Sequence, residues 1–338
     1  MTGLALCLLL ASLAAGAGQE LPEDPNKAAI DSKIATYHRL SDNLSRPLSE
    51  RVLAMSDSLL QDVIEGDRSI GIGGTGDYST RPASVEELAL VQQYVALLPR
   101  AYREAFEEKL LAIFLVDEFA GAGLTSWVVD EAGGVYYFMI LNTALFEQSL
   151  DDWLSFRADS VFDASPVEPR IRISTGTDYL ALMYGLLHEG GHLVDYELGI
   201  TPYVDDLHRQ VIGGNTAATA FSAPAWESIS RPWARYHVDN SQQMNTYGIY
   251  ANAGFIPRQL APVMFGQLRR TPFVSIYSLL SWAEHLADFV TYYHIEQFLH
   301  GTVEMLLVDD GGEVVAVYRP MQTDLAKSLA PSIQVLYQ

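Results

Sequence analysis

The stretch from Tyr179 to Gly199, YLALMYGLLHEGGHLVDYELG, constrains this chain more than any other. From Tyr179 to Leu187 no side chain is charged, and the polar side-chain atoms are confined to the hydroxyls of Tyr179 and Tyr184. A helix that is apolar on every side has to lie in the core. His188, Glu189 and His192 are thereby carried into a place where an unpartnered neutral polar group costs roughly 2–7 kcal/mol. Something must satisfy them. Because His188 and His192 are four apart, both imidazoles leave one helix face and can meet a single tetrahedral ion, with Glu189 beside them facing a water on that ion. Gly190 and Gly191 strengthen the reading. Each interior glycine costs a helix about 1 kcal/mol relative to alanine, so two in succession need a reason, such as room for a substrate or for a neighbouring backbone. Thr177 or Asp178 is placed to cap the helix start, and Gly199 followed by Pro202 supplies the stop.

A site with two histidines needs a third protein ligand, which a glutamate on a later helix can supply. Pro272 to His294, PFVSIYSLLSWAEHLADFVTYYH, reads as an apolar helix interrupted by Glu284, with Asp288 one turn on and Ala287 keeping that face narrow. Asp288 suits the free ring N–H of a ligand histidine, His188 first, and would fix its tautomer. Tyr277 lies seven residues before Glu284, two turns away on the same face. Its phenol can there donate to the oxyanion formed when water attacks a peptide carbonyl. His285 falls about 100° round the helix from Glu284 and reads as a structural or surface residue.

HEGGHLVDYELG followed by SIYSLLSWAEHLAD resembles the paired motifs of the gluzincin metallopeptidases. In detail it is similar to the anthrax lethal factor group, whose pattern is HExGHxxD, then a tyrosine, then seven residues later a glutamate within an E-x-x-A-[ED] run. The likeness covers about 35 positions in two segments and does not reach the N-terminal third or residues 200–270. It implies a zincin-like domain over residues 111–338 acting as a zinc-dependent endopeptidase. His188, His192 and Glu284 would then hold Zn2+, Glu189 would be the general base, and Tyr277 would stabilise the oxyanion. One rival is a zinc hydrolase of a non-protein substrate such as cell-wall peptide. A rival of another class is a secreted binding protein that keeps a zincin scaffold without turnover, against which the retained Glu189 counts.

The rest of the chain sets the context. Its 338 residues, 49% hydrophobic, suffice for one large domain or two smaller ones. A net charge of −21 argues against nucleic acid or anionic membrane surfaces as partners and for a soluble protein in an exposed compartment, while the resemblance implies a peptide or protein substrate. Residues 1–17, MTGLALCLLLASLAAGA, read as a secretory signal with a small-x-small cleavage site at Ala15-Gly16-Ala17, although no Lys or Arg precedes the apolar run. That run is too short to span a bilayer, so the expectation is a secreted or periplasmic protein without stable membrane insertion. Cys7 is the only cysteine and lies inside the run. A cleaved chain would have no thiol, and its stability would fall to core packing and the metal. Leu6, just before Cys7, is not the small residue that lipidation needs.

Residues 18–110 read as a mainly helical region. A polar arm over 18–35 precedes helices from Ala35 to about Glu65, interrupted at Pro47. The glycine-rich SIGIGGTGDYS from Ser69 to Ser79 reads as a surface loop, since it lacks the GK[ST] of a phosphate-binding loop. Val85 to Leu98 and Tyr102 to Leu111 form a helical pair broken at Pro99, with Ser84 and Glu87 at the spacing of a capping box. Strands follow in AIFLVDEF and in SWVVDEAGGVYYFMILN, the latter turning at residues 130–134. Val135 to Asn142 is a candidate edge for an extended peptide, and its composition suits a central strand equally. A helix from Thr143 to about Ala158 and a strand at Arg170 to Ser174 lead into HEGGH. Residues 200–270 read as an irregular, partly helical insertion over the cleft, with Tyr236 and His237 either reaching a substrate or serving as ordinary surface residues. Glu304 to Arg319 alternates about Asp309-Asp310-Gly311-Gly312 as a β-hairpin, without the acidic spacing of a calcium loop. The fold class expected is α+β: a small mixed sheet, the HExxH helix, a later glutamate-bearing helix and a mostly helical N-terminal region.

Overall fold

Leu110–Asp117, LLAIFLVD, has no polar side chain before its last residue, and everything before Asp117 is buried. Such a strand needs cover on both faces. It is β3 of a mixed five-stranded sheet in a computed structural model that describes residues 25–69, 71–72, 75–163, 169–239, 241 and 256–338. The expected signal over residues 1–17, Cys7 included, lies outside the described residues. The other strands are β1 (Val52–Leu53), β2 (Ser79–Thr80), β4 (Gly123–Val129) and β5 (Val135–Asn142). Their order is β1, β3, β5, β4, with β2 also on β3. Both β1 and β5 run parallel to β3, whereas β4 is antiparallel to β5.

Pairing on both sides puts β5 inside the sheet. The edge is therefore β4, which corrects the reading of Val135 to Asn142 as an edge and leaves its central alternative. Edge and interior cannot be told apart from an apolar run alone, because the difference lies in what pairs with it.

The helices preceding β3 are α1 (Pro25–Leu40), α2 (Asp57–Ser69), α3 (Val85–Val95) and α4 (Arg100–Lys109). Residues 25–35 belong to a helix, not to a polar arm. Along β4, α1 is fixed by Lys33, whose Nζ donates to Ser126 Oγ at 3.1 Å and lies 4.6 Å from the Trp127 ring. The Ser84 and Glu87 capping box opens α3. On one face of the sheet Leu110, Ile113 and Leu115 join the main core, and on the other Leu111, Phe114 and Val116 join a second core with Leu59, Leu60 and Val63 of α2.

After β5 come α5 (Leu150–Asp159), β6 (Arg170–Ser174), α6 (Leu182–Leu198), α7 (Asp206–Val211), the ribbon β7 (Trp226–Ser228) with β8 (Arg231–Pro232), α8 (Ala261–Leu268) and α9 (Trp282–Gln297). The hairpin of β9 (Glu304–Val308) and β10 (Val314–Tyr318) pairs with β6 in a second, antiparallel sheet, and α10 (Asp324–Leu329) follows. The class is α+β. No described helix is long and apolar enough to cross a membrane.

The two site helices differ from their sequence-based bounds for local reasons. The backbone of residues 179–181 is tied to residues 148–150, with Leu150 N donating to Tyr179 O and Ala181 N to Gln148 O, both at 2.9 Å. So α6 starts at Leu182, and neither Thr177 nor Asp178 caps it. Its end is as expected: Gly199 closes it at φ 60°, in the left-handed region that glycine enters without a side-chain clash. Pro272 to His294 is not one helix. Ser275 and Ser278 bond each other's backbone N–H reciprocally, at 2.9 and 3.1 Å, and Ser281 caps a new helix by accepting from Glu284 N at 3.1 Å. Serine competes with the helix ladder for backbone groups in this way. Tyr277 accordingly sits in a separate short turn, Tyr277–Leu279, and shares no helix face with Glu284.

Candidate metal centre

The glycines of HEGGH admit neighbouring chain. A Cβ on Gly190 would stand 2.6 Å from Tyr102 Cδ1 and 2.9 Å from Phe106 Cζ, both on α4, and one on Gly191 would stand 3.1 Å from Ala287 Cα on α9. Of the two reasons the sequence offers for these glycines, close approach of neighbouring elements is the one that accounts for both. That approach presses α6 against α9 and brings their polar groups together.

His188, His192 and Glu284 each offer one ligand atom, and these atoms lie within 4.8 Å of one another. Glu284 Oε2 is 3.1 Å from His188 Nε2 and 3.6 Å from His192 Nε2. Two atoms bound to one tetrahedral zinc at 2.0–2.2 Å stand roughly 3.4 Å apart, so these separations are those of ligands to a common ion. His188 is 3% exposed and Glu284 9%. Burial works against charge on both, yet the pair overrides it. Hydrogen bonds to Asp288 and Glu284 raise the His188 imidazole to about 9, while the His192 charge and the His188 hydrogen bond hold Glu284 down at about 2. The donor set is therefore poised for positive charge between its members, and it could hold a metal ion.

Asp288 stands behind His188. Nδ1–H of His188 donates to Asp288 Oδ1 at 2.9 Å, which directs Nε2 at Glu284, the nitrogen a metal ion would take on losing its proton. Tyr184 Oη lies 2.9 Å from the same Nδ1 and donates to Asp288 Oδ1 at 3.3 Å. Asp288 Oδ2 accepts from Arg157 Nη2 at 2.5 Å and from Ser275 Oγ. The Asp288 carboxyl is fully buried but is held well below the usual carboxylate range, since the Arg157 charge and the His188 hydrogen bond outweigh desolvation. His192 differs: its Nδ1 is buried without a hydrogen-bond partner among the described residues. The Tyr277 ring lies 5.8 Å from the His188 ring and is buried.

Glu189 lies at the start of the edge strand. A Cβ on Gly123 of β4 would stand 2.9 Å from Glu189 Cγ, and Thr125 Oγ1 donates to the Glu189 backbone carbonyl at 2.8 Å. Burial raises the Glu189 carboxyl above its ordinary value.

The segment before α9 packs on its far side. Trp226 Nε1 donates to His285 Nδ1 at 3.1 Å, and His285 Nε2–H donates to Pro272 O at 3.2 Å. His285 is a fully buried core residue. His237 is exposed and faces Asp239 at 3.5 Å, and Tyr236 faces Arg235, with neither bonded to the ligand group. Tyr184, Arg157, Ser275 and Thr125 were not singled out in the sequence. Tyr184 carried a usable signal, being four residues before His188 and so on the same helix face. Arg157 carried none, because its bond to Asp288 spans 131 residues.

No protein-family model matches this chain, and no curated protein or solved structure matches it at a significant level.

Proposed function

We propose that the chain is a secreted zinc-dependent endopeptidase of the gluzincin kind, with a zincin-like catalytic domain. The observation that carries this reading is the convergence of two imidazoles of α6 and a carboxylate of α9, 96 residues from His188, with Glu189 beside them at a sheet edge. His188, His192 and Glu284 would hold Zn2+. When bound, the ion supplies Lewis acidity that polarises a carbonyl and lowers the pKa of a water towards about 7.

Glu189 takes the proton of the attacking water and returns it to the leaving amine nitrogen. A carboxyl lifted by burial is better matched to that exchange than a solvated one. Tyr277 donates from its phenol to the carbonyl oxygen as negative charge develops there. Asp288 and Tyr184 hold His188 in one tautomer. The apolar segment over residues 1–17 supports export.

The test is zinc content and turnover together. The purified chain should carry one zinc and cleave unfolded casein or a peptide library. Glu189→Gln should keep the zinc and lose roughly 10²–10⁴-fold of the turnover. Less than one zinc per chain with none taken up on addition, or unchanged turnover in Glu189→Gln, overturns the reading.

A further inference from the structure

Arg157 is 3% exposed, and its guanidinium is enclosed by three groups that bear on the ligand histidine. Nη2 holds one oxygen of Asp288 at 2.5 Å, while the other oxygen takes the His188 Nδ1–H at 2.9 Å. Cζ lies 4.7 Å from the Tyr184 ring, whose hydroxyl is 2.9 Å from the same Nδ1. Cζ also lies 4.1 Å from the Tyr277 ring. A guanidinium is planar and permanently charged and can stack on aromatic faces while donating in its own plane. An ammonium could serve the carboxylate but not two ring faces at once.

An ion pair kept only for the fold needs neither ring. It also has weak grounds for existing, since well-packed apolar residues of similar volume often stabilise a core as well. Here the pair sits where it acts on three things at once: the charge of Asp288, the tautomer of His188 and the orientation of the Tyr277 ring.

We propose that Arg157 is a positioning residue of the metal centre. It keeps Asp288 in place as the acceptor for His188, and its aromatic stack sets the direction of the Tyr277 phenol. The inference rests on the zinc reading of the His188, His192 and Glu284 group, and its Tyr277 arm rests on the peptidase reading as well.

The experiment uses the full chain, with Arg157→Met and Arg157→Lys each in the wild-type and Asp288→Asn backgrounds. Folding is checked by circular dichroism, zinc affinity by competition with a chromophoric chelator, and site geometry by the visible spectrum of the Co2+-substituted protein. Arg157→Met should weaken zinc binding about 10–100-fold, the range for loss of an outer partner of a ligand histidine, and should change the Co2+ spectrum. In the Asp288→Asn background the same substitution should add little further loss, because the route through the carboxylate is already cut. Arg157→Lys should recover most of the affinity yet lower kcat with KM nearly unchanged.

A folded Arg157→Met with wild-type zinc affinity and spectrum overturns the proposal, as does an equal loss in both backgrounds. If Arg157→Met does not fold, Arg157→Lys decides: unchanged kcat refutes the role, and a kcat loss with retained zinc supports it. A wild-type chain that takes up no zinc defeats the metal reading itself. Zinc-binding wild type with indifferent variants defeats this inference alone.

Discussion

Gly190→Ala, Gly191→Ala and Gly266→Ala introduce the same methyl group at three positions of two helices, α6 and α8, with three different outcomes. In each, alanine returns about 1 kcal/mol of helix propensity or somewhat less near a terminus. What opposes that gain is read from the space available. Around Gly266 of α8 nothing lies within 4 Å of the added carbon, so Gly266→Ala should stabilise by about 0.5–1 kcal/mol. At Gly191 the neighbours stand at 3.1–3.3 Å and must give by a few tenths of an ångström, a cost that offsets the gain, so the net change should be small. At Gly190 the contacts are 2.6, 2.8 and 2.9 Å, all to ring carbons of Tyr102 and Phe106, which are themselves fully buried. Overpacking of that kind costs about 1–3 kcal/mol. With the rings unable to swing away, the upper half applies, leaving Gly190→Ala about 1–2 kcal/mol less stable than wild type.

Thermal unfolding of the three variants beside wild type tests this, since 1 kcal/mol moves Tm by about 2–4 °C in domains of 150–250 residues. Gly190→Ala should fall by roughly 2–8 °C while Gly266→Ala rises slightly. A Gly190→Ala protein as stable as Gly266→Ala would refute the packing argument. If that variant instead kept its stability and raised KM for a peptide substrate, the glycine would be making room for substrate.

His294 is buried and lowered to about 4, chiefly by desolvation, with Nε2–H donating to Leu97 O at 2.9 Å. Because the folded value lies below the unfolded 6.5, the unfolded chain takes the proton first. His294 therefore contributes fully above pH 6.5 and loses up to about 3 kcal/mol as pH falls towards 4; His294→Gln should flatten that part of the profile of Tm against pH, and an unchanged slope would count against it. Arg51 is 2% exposed and donates to the carbonyls of Arg46, Phe106, Glu107 and Leu110 at 2.8–3.1 Å. Arg51→Met strands several of these at the end of α4 and should cost at least about 3 kcal/mol, read as a lower urea midpoint. Zinc at 100 times its Kd should add about 2.7 kcal/mol to stability, and EDTA should remove it. Glu284→Gln should show a much smaller shift, and a full-sized one would exclude Glu284 as a ligand.

What the sequence made legible was local. The HEGGH helix could be read because burial and a four-residue period are properties of neighbouring residues, and its end at Gly199 because one residue type suits a left-handed turn. The strand β5 followed from an apolar run after a turn, and β6 from the alternation of arginine and isoleucine in RIRIS. What escaped depended on partners far along the chain. The edge position of β4 follows from pairing, the late start of α6 from backbone bonds to residues 148–150, and the break between Tyr277 and Glu284 from serines that bond to each other. That break changes how Tyr277 reaches the site. Its ring lies 4.1 Å from the Arg157 guanidinium carbon, and no shared helix relates it to Glu284.

The charges of the site explain why both helices carry acidic residues into a core that should reject them. Asp288 has a permanent counter-charge in Arg157, so its carboxylate is balanced whether or not the histidines are protonated. Among the described residues Glu284 bonds no arginine or lysine, and its ion-pair neighbours are His188 and His192. A buried carboxylate in that position has to draw a cation to itself. In the absence of metal the cation is a proton shared with the imidazoles, which is why burial fails to lower His188 and His192 and both are instead raised. A metal ion held by these three residues would take the place of that proton, so under the proposed reading metal and proton compete and binding releases protons. The single unmatched carboxylate between two imidazoles gives the centre its demand for positive charge, and the matched one behind it supplies the geometry.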